Sequence, residues 1–499
     1  MNRRALVVSG AAVAVVAAAG AGFAVGAFVG GGGTQPEDVL PDTLVAFADV
    51  DLDPAAEQKL NLVRLLGRFP DVEDAYGEQP DLRQVVVDRL VQGTDLEGAR
   101  VEDWVGDRVG IGLSWDAENR ALTPVAALQA TDGDEALADL GRVLDDDQMA
   151  LSDGYVVVAG DLFSEIPLVG EDLLPEGDAP RFPDSATAAD VVAAADTAPL
   201  SGSSNFQSVF DRLDDGIMSM YVDAEALDGA AETLATDLGL DAFDGSTMGG
   251  GQTGAVLRAE PSALELLAWS SVDVSTSSTP AVLAEGLPRS TVLALEVTGG
   301  AEAVARQWQS VLDRVEEAGG TRELERQLAE LEAQYGLVVP DDLETLLGDD
   351  MVAAVDGGGL LTGIPGIGLR SVTDPASADD LARRLQRVLD PLTGGFGFTA
   401  QAVADGMVVA TSQQFADQLE AGDGELGSDP TYREALPDSG QAANLVWVDL
   451  ATIRSFAQLA APDASSVIEP LAGFGGTVMP DDGGLRIRLR LVFSDASDT

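Results

Sequence analysis

Apolar and polar residues alternate along the chain in a pattern that occurs twice in the same order. Leu40-Pro41 precedes the strand-like TLVAFADVDL and the helix-like AAEQKLNLVRLL, and Leu287-Pro288 precedes TVLALEV and AEAVARQWQSVL. Alternation at every second residue predicts half-buried strands, and apolar residues three and four apart predict amphipathic helices. Gly106-Asp107 before RVGIGL corresponds to Gly348-Asp349 before MVAAV. The pattern therefore predicts two tandem copies of one design.

The copies define the expected domain organisation. The predicted boundaries are residues 40–278 for repeat 1, with an insertion near 162–199, and residues 287–494 for repeat 2, after a short linker at 31–39. A chain of 499 residues is too long for one ordinary core, because single cores stop growing near roughly 250–300 residues. The long period indicates a domain duplication and not a solenoid of short repeats.

Strands within each copy come in closely spaced pairs beside helices. Examples are 107–114 with 122–131 and 251–259 with 262–272. Hairpins next to amphipathic helices favour an α+β fold with a mainly antiparallel sheet. The predicted fold class is thus an N-terminal transmembrane helix followed by two tandem related α+β domains, each with its own mainly antiparallel sheet and packed amphipathic helices.

A short basic start and a long apolar run form the N-terminus. Residues 1–4, MNRR, precede 26 uncharged residues at 5–30, where about 20 span a bilayer and a signal-peptide core needs about 7–15. The positions of Arg3 and Arg4 predict a cytoplasmic N-terminus and an extracytoplasmic body in a single-pass membrane protein. The alternative is a signal that is cleaved, which leaves a secreted protein.

Small residues recur within the apolar run. Gly22, Gly26 and Gly30 lie four residues apart, which would place them on one face of a membrane helix. Such a face lets two helices approach closely, so we consider a homodimer through this segment. The general glycine content of the run is the simpler explanation of this spacing.

Charge limits the partners of the body. With 85 acidic and 28 basic residues, the formal net charge is −57. Nucleic acid is excluded as a partner because neutralising its phosphates needs clustered lysine and arginine, and an anionic lipid surface is disfavoured for the same reason. The acidity indicates either adaptation to salt or the recruitment of a cationic partner.

Two missing residue types exclude much of catalytic chemistry. The chain has no cysteine and no histidine, and Lys59 is its single lysine. Disulfides, Ser-His-Asp and Cys-His catalysis, and imidazole zinc sites are therefore impossible. We expect no cofactor.

The first strand and helix carry a family resemblance. The opening Leu40–Pro70 contains VDLDP at Val50–Pro54, then Gln58-Lys59 and the pair Phe69-Pro70. It resembles the start of the actinobacterial domain of unknown function 3352 family, whose members have a similar short basic start, one membrane segment and a long body. The resemblance implies an envelope protein and supplies no activity, cofactor or catalytic residue.

One acidic motif is a weak candidate for a metal site. Asp49, Asp51 and Asp53 alternate at the end of a predicted strand and would project to one face, where their oxygens could bind calcium. The second copy has only Glu296 in the comparable place. Solvated charge and helix capping are the simpler interpretation.

One basic motif is a weak candidate for anion binding. Arg486, Arg488 and Arg490 alternate in LRIRLRLVF and must share a strand face. They could grip a carboxylate or phosphate ligand, although such a row more often pairs with acidic residues on a neighbouring strand.

The sequence therefore favours a non-catalytic envelope protein that binds another envelope protein or a ligand. A carboxylate-only glycan hydrolase is one alternative, and it would need two carboxyl groups about 5–10 Å apart beside an aromatic cleft. A structural or chaperone-like spacer is another. A polar surface with one exposed apolar patch would favour the binding protein.

Overall fold

A computed structural model describes most of the chain after residue 33. The described residues are 34–69, 101–142, 144–160, 185–237, 251–271, 280–317, 319–359, 365–392, 398–460 and 469–494. The predicted membrane segment 5–30, with Gly22, Gly26 and Gly30, lies outside them. No helix within these ranges is long and apolar enough to span a membrane.

Sixteen strands in the described residues belong to one sheet, and paired strands run antiparallel. The strands are β1 (Leu44–Asp51), β2 (Val105–Asp116), β3 (Ala121–Ala130), β4 (Met149–Ser152), β5 (Tyr155–Ala159), β6 (Met218–Asp223), β7 (Gln252–Ala259), β8 (Ala263–Ser270), β9 (Thr291–Thr298), β10 (Asp350–Asp356), β11 (Gly366–Val372), β12 (Thr399–Val403), β13 (Gly406–Ala410), β14 (Asn444–Asp449), β15 (Leu471–Asp481) and β16 (Gly484–Phe493).

Helices follow most of the strand pairs. They are α1 (Ala56–Leu66), α2 (Val101–Trp104), α3 (Gly133–Leu140), α4 (Ala188–Thr197), α5 (Ser204–Phe210), α6 (Ala224–Asp237), α7 (Gly300–Glu317), α8 (Thr321–Tyr335), α9 (Asp341–Leu347), α10 (Pro375–Leu392), α11 (Gln413–Ala421), α12 (Pro430–Ala435) and α13 (Leu450–Ala460). Asp132 caps α3 by accepting hydrogen bonds from the amides of Asp134 and Glu135, both at 3.1 Å, which ends the preceding strand and starts the helix.

The predicted fold class is wrong. We expected a transmembrane helix and then two domains with separate sheets, whereas the strands belong to a single sixteen-stranded sheet and the described helices include no membrane-spanning one. Alternation of apolar and polar residues identifies a strand and its buried face. The backbone groups at a sheet edge, however, can pair with any further strand, so the side-chain pattern does not predict which strands join one sheet.

The chain divides into two compact units. Unit 1 comprises Met1–Asp273 and Gly483–Leu485, and unit 2 comprises Val274–Asp482 and Arg486–Thr499. Unit 1 has the strand order β8-β7-β6-β1-β2-β3-β5-β4, and unit 2 has the order β16-β15-β14-β9-β10-β11-β13-β12. The order is the same in both. The first strand of each unit, β1 or β9, therefore lies between corresponding neighbours, β2 and β6 or β10 and β14.

Aromatic side chains organise the core of unit 1. The Phe206 ring lies 6.0 Å from Phe47 and 5.3 Å from Tyr221, both in edge-on contacts between ring centroids. On the opposite face of the same strands, α6 places Leu227 and Ala230 in a buried cluster with Val222 and other apolar residues. Helices thus cover both faces of this part of unit 1.

The core of unit 2 contains a corresponding aromatic contact. Trp447 on β14 lies 5.4 Å from Tyr432 on α12, and its indole nitrogen donates to the Thr291 carbonyl at 3.3 Å. Glycine on β15 allows the helix to approach: a Cβ atom at Gly475 would lie 2.4 Å from the Ala435 carbonyl oxygen. Glycine is required here for close packing of α12 on the sheet.

Candidate functional site: buried carboxyl groups and an apolar sheet face

Three carboxyl groups and one guanidinium come together in unit 1. Asp49 and Asp51 lie on alternate positions of β1, Arg108 lies directly opposite Asp51 on β2, and Glu37 comes from the 3-10 turn Pro36–Asp38. We call Glu37, Asp49, Asp51 and Arg108 the acidic cluster. Its members interact electrostatically, and Arg108 is only 6% exposed.

Hydrogen bonds fix part of the acidic cluster. Asp49 accepts a bond from the Ser219 hydroxyl, directly across the sheet on β6. Arg108 Nε lies 3.8 Å from Asp51 Oδ2, and Arg108 Nη1 donates to the Thr34 carbonyl at 3.3 Å. Glu37 Oε2 is buried with no hydrogen-bond partner in the described part of the chain. One cation therefore faces three carboxyl groups, and one of them, that of Glu37, has an oxygen without a hydrogen bond in the described residues.

This imbalance raises the pKa values of the carboxyl groups. Burial, with a contribution from Asp49, raises the pKa of Glu37 to about 8. Burial also raises the pKa of Asp51 to about 7 and that of Asp49 to about 6, although Arg108 opposes both shifts. The acidic cluster consequently holds protons at neutral pH, because a single guanidinium cannot compensate three carboxylates that are largely removed from water.

Unit 2 has a buried carboxylate at the same position of its first strand. Glu296 on β9 is 0% exposed and accepts hydrogen bonds from the amides of Leu283, at 2.8 Å, and Ala284, at 2.7 Å. Its partner is Asp350 on β10, which is 6% exposed and takes the position that Arg108 has in unit 1. A carboxyl pair thus replaces the carboxylate–guanidinium pair.

Asp53, the third predicted calcium ligand, lies apart from the other two. β1 ends at Asp51, and Asp53, whose side chain is half-exposed, forms a salt bridge with Lys59 at 2.7 Å. The backbone amide of Asp53 donates to Asp51 at 3.0 Å. Across the described ranges, no group of three or more His, Cys, Asp or Glu side chains is placed to hold a metal ion.

The predicted arginine row lies on β16 and contacts acidic side chains. Arg486 forms a salt bridge with Asp481 on the neighbouring β15 at 2.8 Å, and Arg488 forms one with Asp438. Arg490 follows on the same face of the strand and is partly buried. The carboxylates of Asp481 and Asp438 occupy the positions that an anionic ligand of Arg486 and Arg488 would take.

Sequence reasoning missed Glu37, Arg108 and Asp350. A signal existed for two of them, because Arg108 and Asp350 are charged residues at the start of otherwise apolar strands. A charge in such a strand needs a buried partner. No local signal marks Glu37, whose position depends on how the turn before β1 folds back over the sheet.

The second feature is an apolar sheet face in unit 2. Leu293, Val355 and Ile367 lie directly opposite one another on β9, β10 and β11, and the next row follows on the same strands. The apolar face consists of Leu293, Leu295, Ala353, Val355, Ile367, Leu369, Val446 and Val448. None of the eight is buried, and Leu293, Leu295 and Ile367 are 38%, 43% and 47% exposed.

Unit 1 provides an internal comparison for the apolar face. The residues of β1 that correspond to Leu293 and Leu295 are Ala46 and Ala48, and Ala48 is 3% exposed. Val222, which corresponds to Val448, is buried under α6. On its first strand, unit 1 thus has alanines, one of them buried, where unit 2 has exposed leucines.

No protein-family model, curated protein or solved structure matches this chain. The resemblance of Leu40–Pro70 to the domain of unknown function 3352 family therefore stays a prediction.

Proposed function

We propose that the protein is a non-catalytic binding component of the cell envelope and that the apolar face of unit 2 binds another envelope protein. The observation that carries this proposal is the exposure of Leu293 and Leu295 on β9 and of Ile367 on β11, with Val355 of β10 lying between Leu293 and Ile367 on the same sheet face. Single exposed apolar residues are common on protein surfaces, whereas contiguous ones typically mark an interaction site.

The energetic argument favours a protein partner. Full burial of a leucine or isoleucine side chain contributes roughly 1.5–3 kcal/mol. The three exposed side chains retain about two fifths of their surface in water, so covering them would contribute about 1 kcal/mol each. Exposed side chains on a sheet face suit the surface of another protein better than a small ligand, which needs a concave pocket.

We further propose that the body lies outside the cytoplasm. The support is the sequence of residues 1–30, in which Arg3 and Arg4 precede an uncharged run typical of export signals. The run would be either retained as an anchor or removed by a signal peptidase. Protease treatment of intact and lysed cells tests this location: survival of the body in intact cells whose known surface proteins are digested would contradict it.

The buried carboxyl groups give little support to the alternative of a glycan hydrolase. Glycoside hydrolysis needs two carboxyl groups that reach a sugar in an open cleft. Glu296 is fully buried and already bound to two backbone amides, and Asp350 is 6% exposed. The Glu296–Asp350 pair has no access for a polymer.

A pair of matched variants tests the proposed binding surface. Leu295→Asp places a charge in the apolar face, and Leu60→Asp places one at an isolated leucine of α1 that is 60% exposed. Both chains, tagged at the C-terminus, are crosslinked in cells and their co-purified proteins identified. We expect the same partner with the wild-type chain and Leu60→Asp, and a loss of about tenfold or more with Leu295→Asp.

Two results would contradict the proposal. One is equal recovery of every co-purified protein with both variants, provided that their melting temperatures match. The other is recovery of no protein except the chain itself under several crosslinkers.

A further inference from the structure

Both units have a carboxyl group at the same position of their first strand, partly buried in unit 1 and fully buried in unit 2. Asp49 faces Ser219 across β1 and β6, and Glu296 occupies the same place on β9, although the rest of the two surroundings differs. Each carboxylate has a second carboxyl group as a neighbour, Glu37 in unit 1 and Asp350 in unit 2. A pair of carboxyl groups thus occurs in both units, but the second group comes from the turn before β1 in unit 1 and from β10 in unit 2.

The surroundings of the pair in unit 2 allow only one of its groups to be charged. Asp350 forms a side-chain hydrogen bond with Glu296, and the buried Asp350 Oδ1 accepts no hydrogen bond from any donor among the described residues. Two carboxylates in contact repel each other strongly in a buried site, so one proton must lie between them. Glu296 already accepts hydrogen bonds from two backbone amides. These bonds favour the ionised form of Glu296 and leave the proton on Asp350.

The remaining charged and titratable groups around the pair do not remove this repulsion. On β11, Arg370 attracts Asp350, but its guanidinium also bonds to Asp405 at 2.9 Å and to the Leu419 carbonyl at 3.2 Å. Tyr432 on α12 interacts with Glu296, and burial, together with the negative charges of Glu285 and Glu296, raises the pKa of Tyr432, so it stays neutral. Glu285, in the 3-10 turn Ala284–Gly286, adds negative charge on the same side.

We propose that Glu296 and Asp350 share one proton in the folded protein, with Asp350 as the donor. This proton stabilises the hydrogen bonds through which Glu296 of β9 holds the start of the turn Ala284–Gly286. When water or hydroxide takes the proton from Asp350, both groups are negative, and their repulsion destabilises the arrangement in which Glu296 holds the Leu283 and Ala284 amides. Unit 2 would therefore be less stable at alkaline pH. This inference does not depend on the proposed binding function.

The sign of the pH dependence follows from the direction of the shift. Burial, with Glu296 as the next contribution, raises the pKa of Asp350 to about 8, and burial raises that of Glu296. A folded state that holds a proton which the unfolded chain has lost becomes less stable as pH rises between the two pKa values. The stabilisation is complete below about pH 4 and lost by about pH 8.

The experiment compares the purified full-length chain with two variants. Asp350→Asn cannot release a proton but can still donate a hydrogen bond to Glu296, and Asp356→Asn changes a partly exposed aspartate at the other end of β10. Infrared difference spectra at pH 7 report protonated carboxyl groups, and urea unfolding from pH 5 to pH 9 reports the number of protons linked to stability.

We expect Asp350→Asn to lack one protonated-carboxyl band that the wild type and Asp356→Asn share. We also expect the free energy of unfolding of this variant to fall less steeply with pH, with a slope that corresponds to about one linked proton fewer than in the wild type. A band that Asp350→Asn retains, or an unchanged pH slope, would overturn the proposal. If Asp350→Asn does not fold, Glu296→Gln is measured in its place. The wild-type spectrum must also contain a protonated-carboxyl band that disappears near pH 8, and its absence would overturn the proposal.

Discussion

Replacing Arg108 by methionine removes the cation of the acidic cluster while keeping much of the apolar stem of its side chain. Arg108 is 6% exposed and lowers the pKa values of Glu37, Asp49 and Asp51. Without it, no other cation in the described residues lowers the pKa values of all three carboxyl groups. Removing one partner of a buried ion pair typically costs about 3–5 kcal/mol, because the other partner is left uncompensated.

The structure makes this cost depend on pH. At pH 8.5 the three carboxyl groups, with pKa values of about 8, 6 and 7, are mostly ionised, so we expect Arg108→Met to lower the free energy of unfolding of unit 1 by about 3–5 kcal/mol. At pH 5 they are mostly protonated, and the loss reduces to hydrogen bonds such as those of Arg108 with the Thr34 carbonyl and with Tyr155, about 1 kcal/mol each.

Urea unfolding at both pH values, followed by tryptophan fluorescence, measures the difference. Trp104, Trp115 and Trp269 report on unit 1. Lys59→Met is the matched control, since it removes an exposed salt bridge to Asp53 and should cost no more than about 1 kcal/mol at either pH. A cost for Arg108→Met that is equal at pH 5 and pH 8.5, or larger at pH 5, would refute the reasoning.

Three further predictions concern unit 2, each measured as a change in the free energy of urea unfolding. Gly348→Ala should cost more than about 2 kcal/mol, because Gly348 has a φ of +55° and a Cβ atom would lie 2.2 Å from the Val372 carbonyl oxygen; a neutral effect would contradict the geometry. Tyr432→Phe should be neutral or stabilising, since the buried Tyr432 hydroxyl has no partner in the described ranges; a loss above about 1 kcal/mol would reveal a missed bond. A double-mutant cycle on Arg384→Met and Asp342→Asn should give a coupling of at least about 2 kcal/mol, because their two parallel contacts of 2.5 and 2.6 Å are mostly buried; strictly additive effects would argue against the ion pair.

The sequence pattern predicts the local elements better than their assembly. Alternation in TLVAFADVDL and TVLALEV marks β1 and β9, because each strand buries one of its faces. The single sixteen-stranded sheet was not predictable, since pairing at a sheet edge uses backbone groups that every residue carries.

The candidate site was predictable only in part. The repeat alignment places Asp49 and Glu296 at comparable positions, but an exposed aspartate and a buried one look alike in a sequence. Burial of Glu296 depends on the turn Ala284–Gly286 and on Tyr432, which lies more than a hundred residues later. The exposure of Leu293 and Leu295 could not be predicted either, because alternating apolar residues normally indicate a buried strand face.

Site-specific photocrosslinking in cells tests the proposed binding surface most directly. A photoreactive amino acid replaces Leu295 in the apolar face in one chain and the isolated, exposed Leu60 in another. We expect a discrete adduct with one other envelope protein from position 295 and none from position 60. The absence of any adduct from position 295, or the same adducts from both positions, would contradict it.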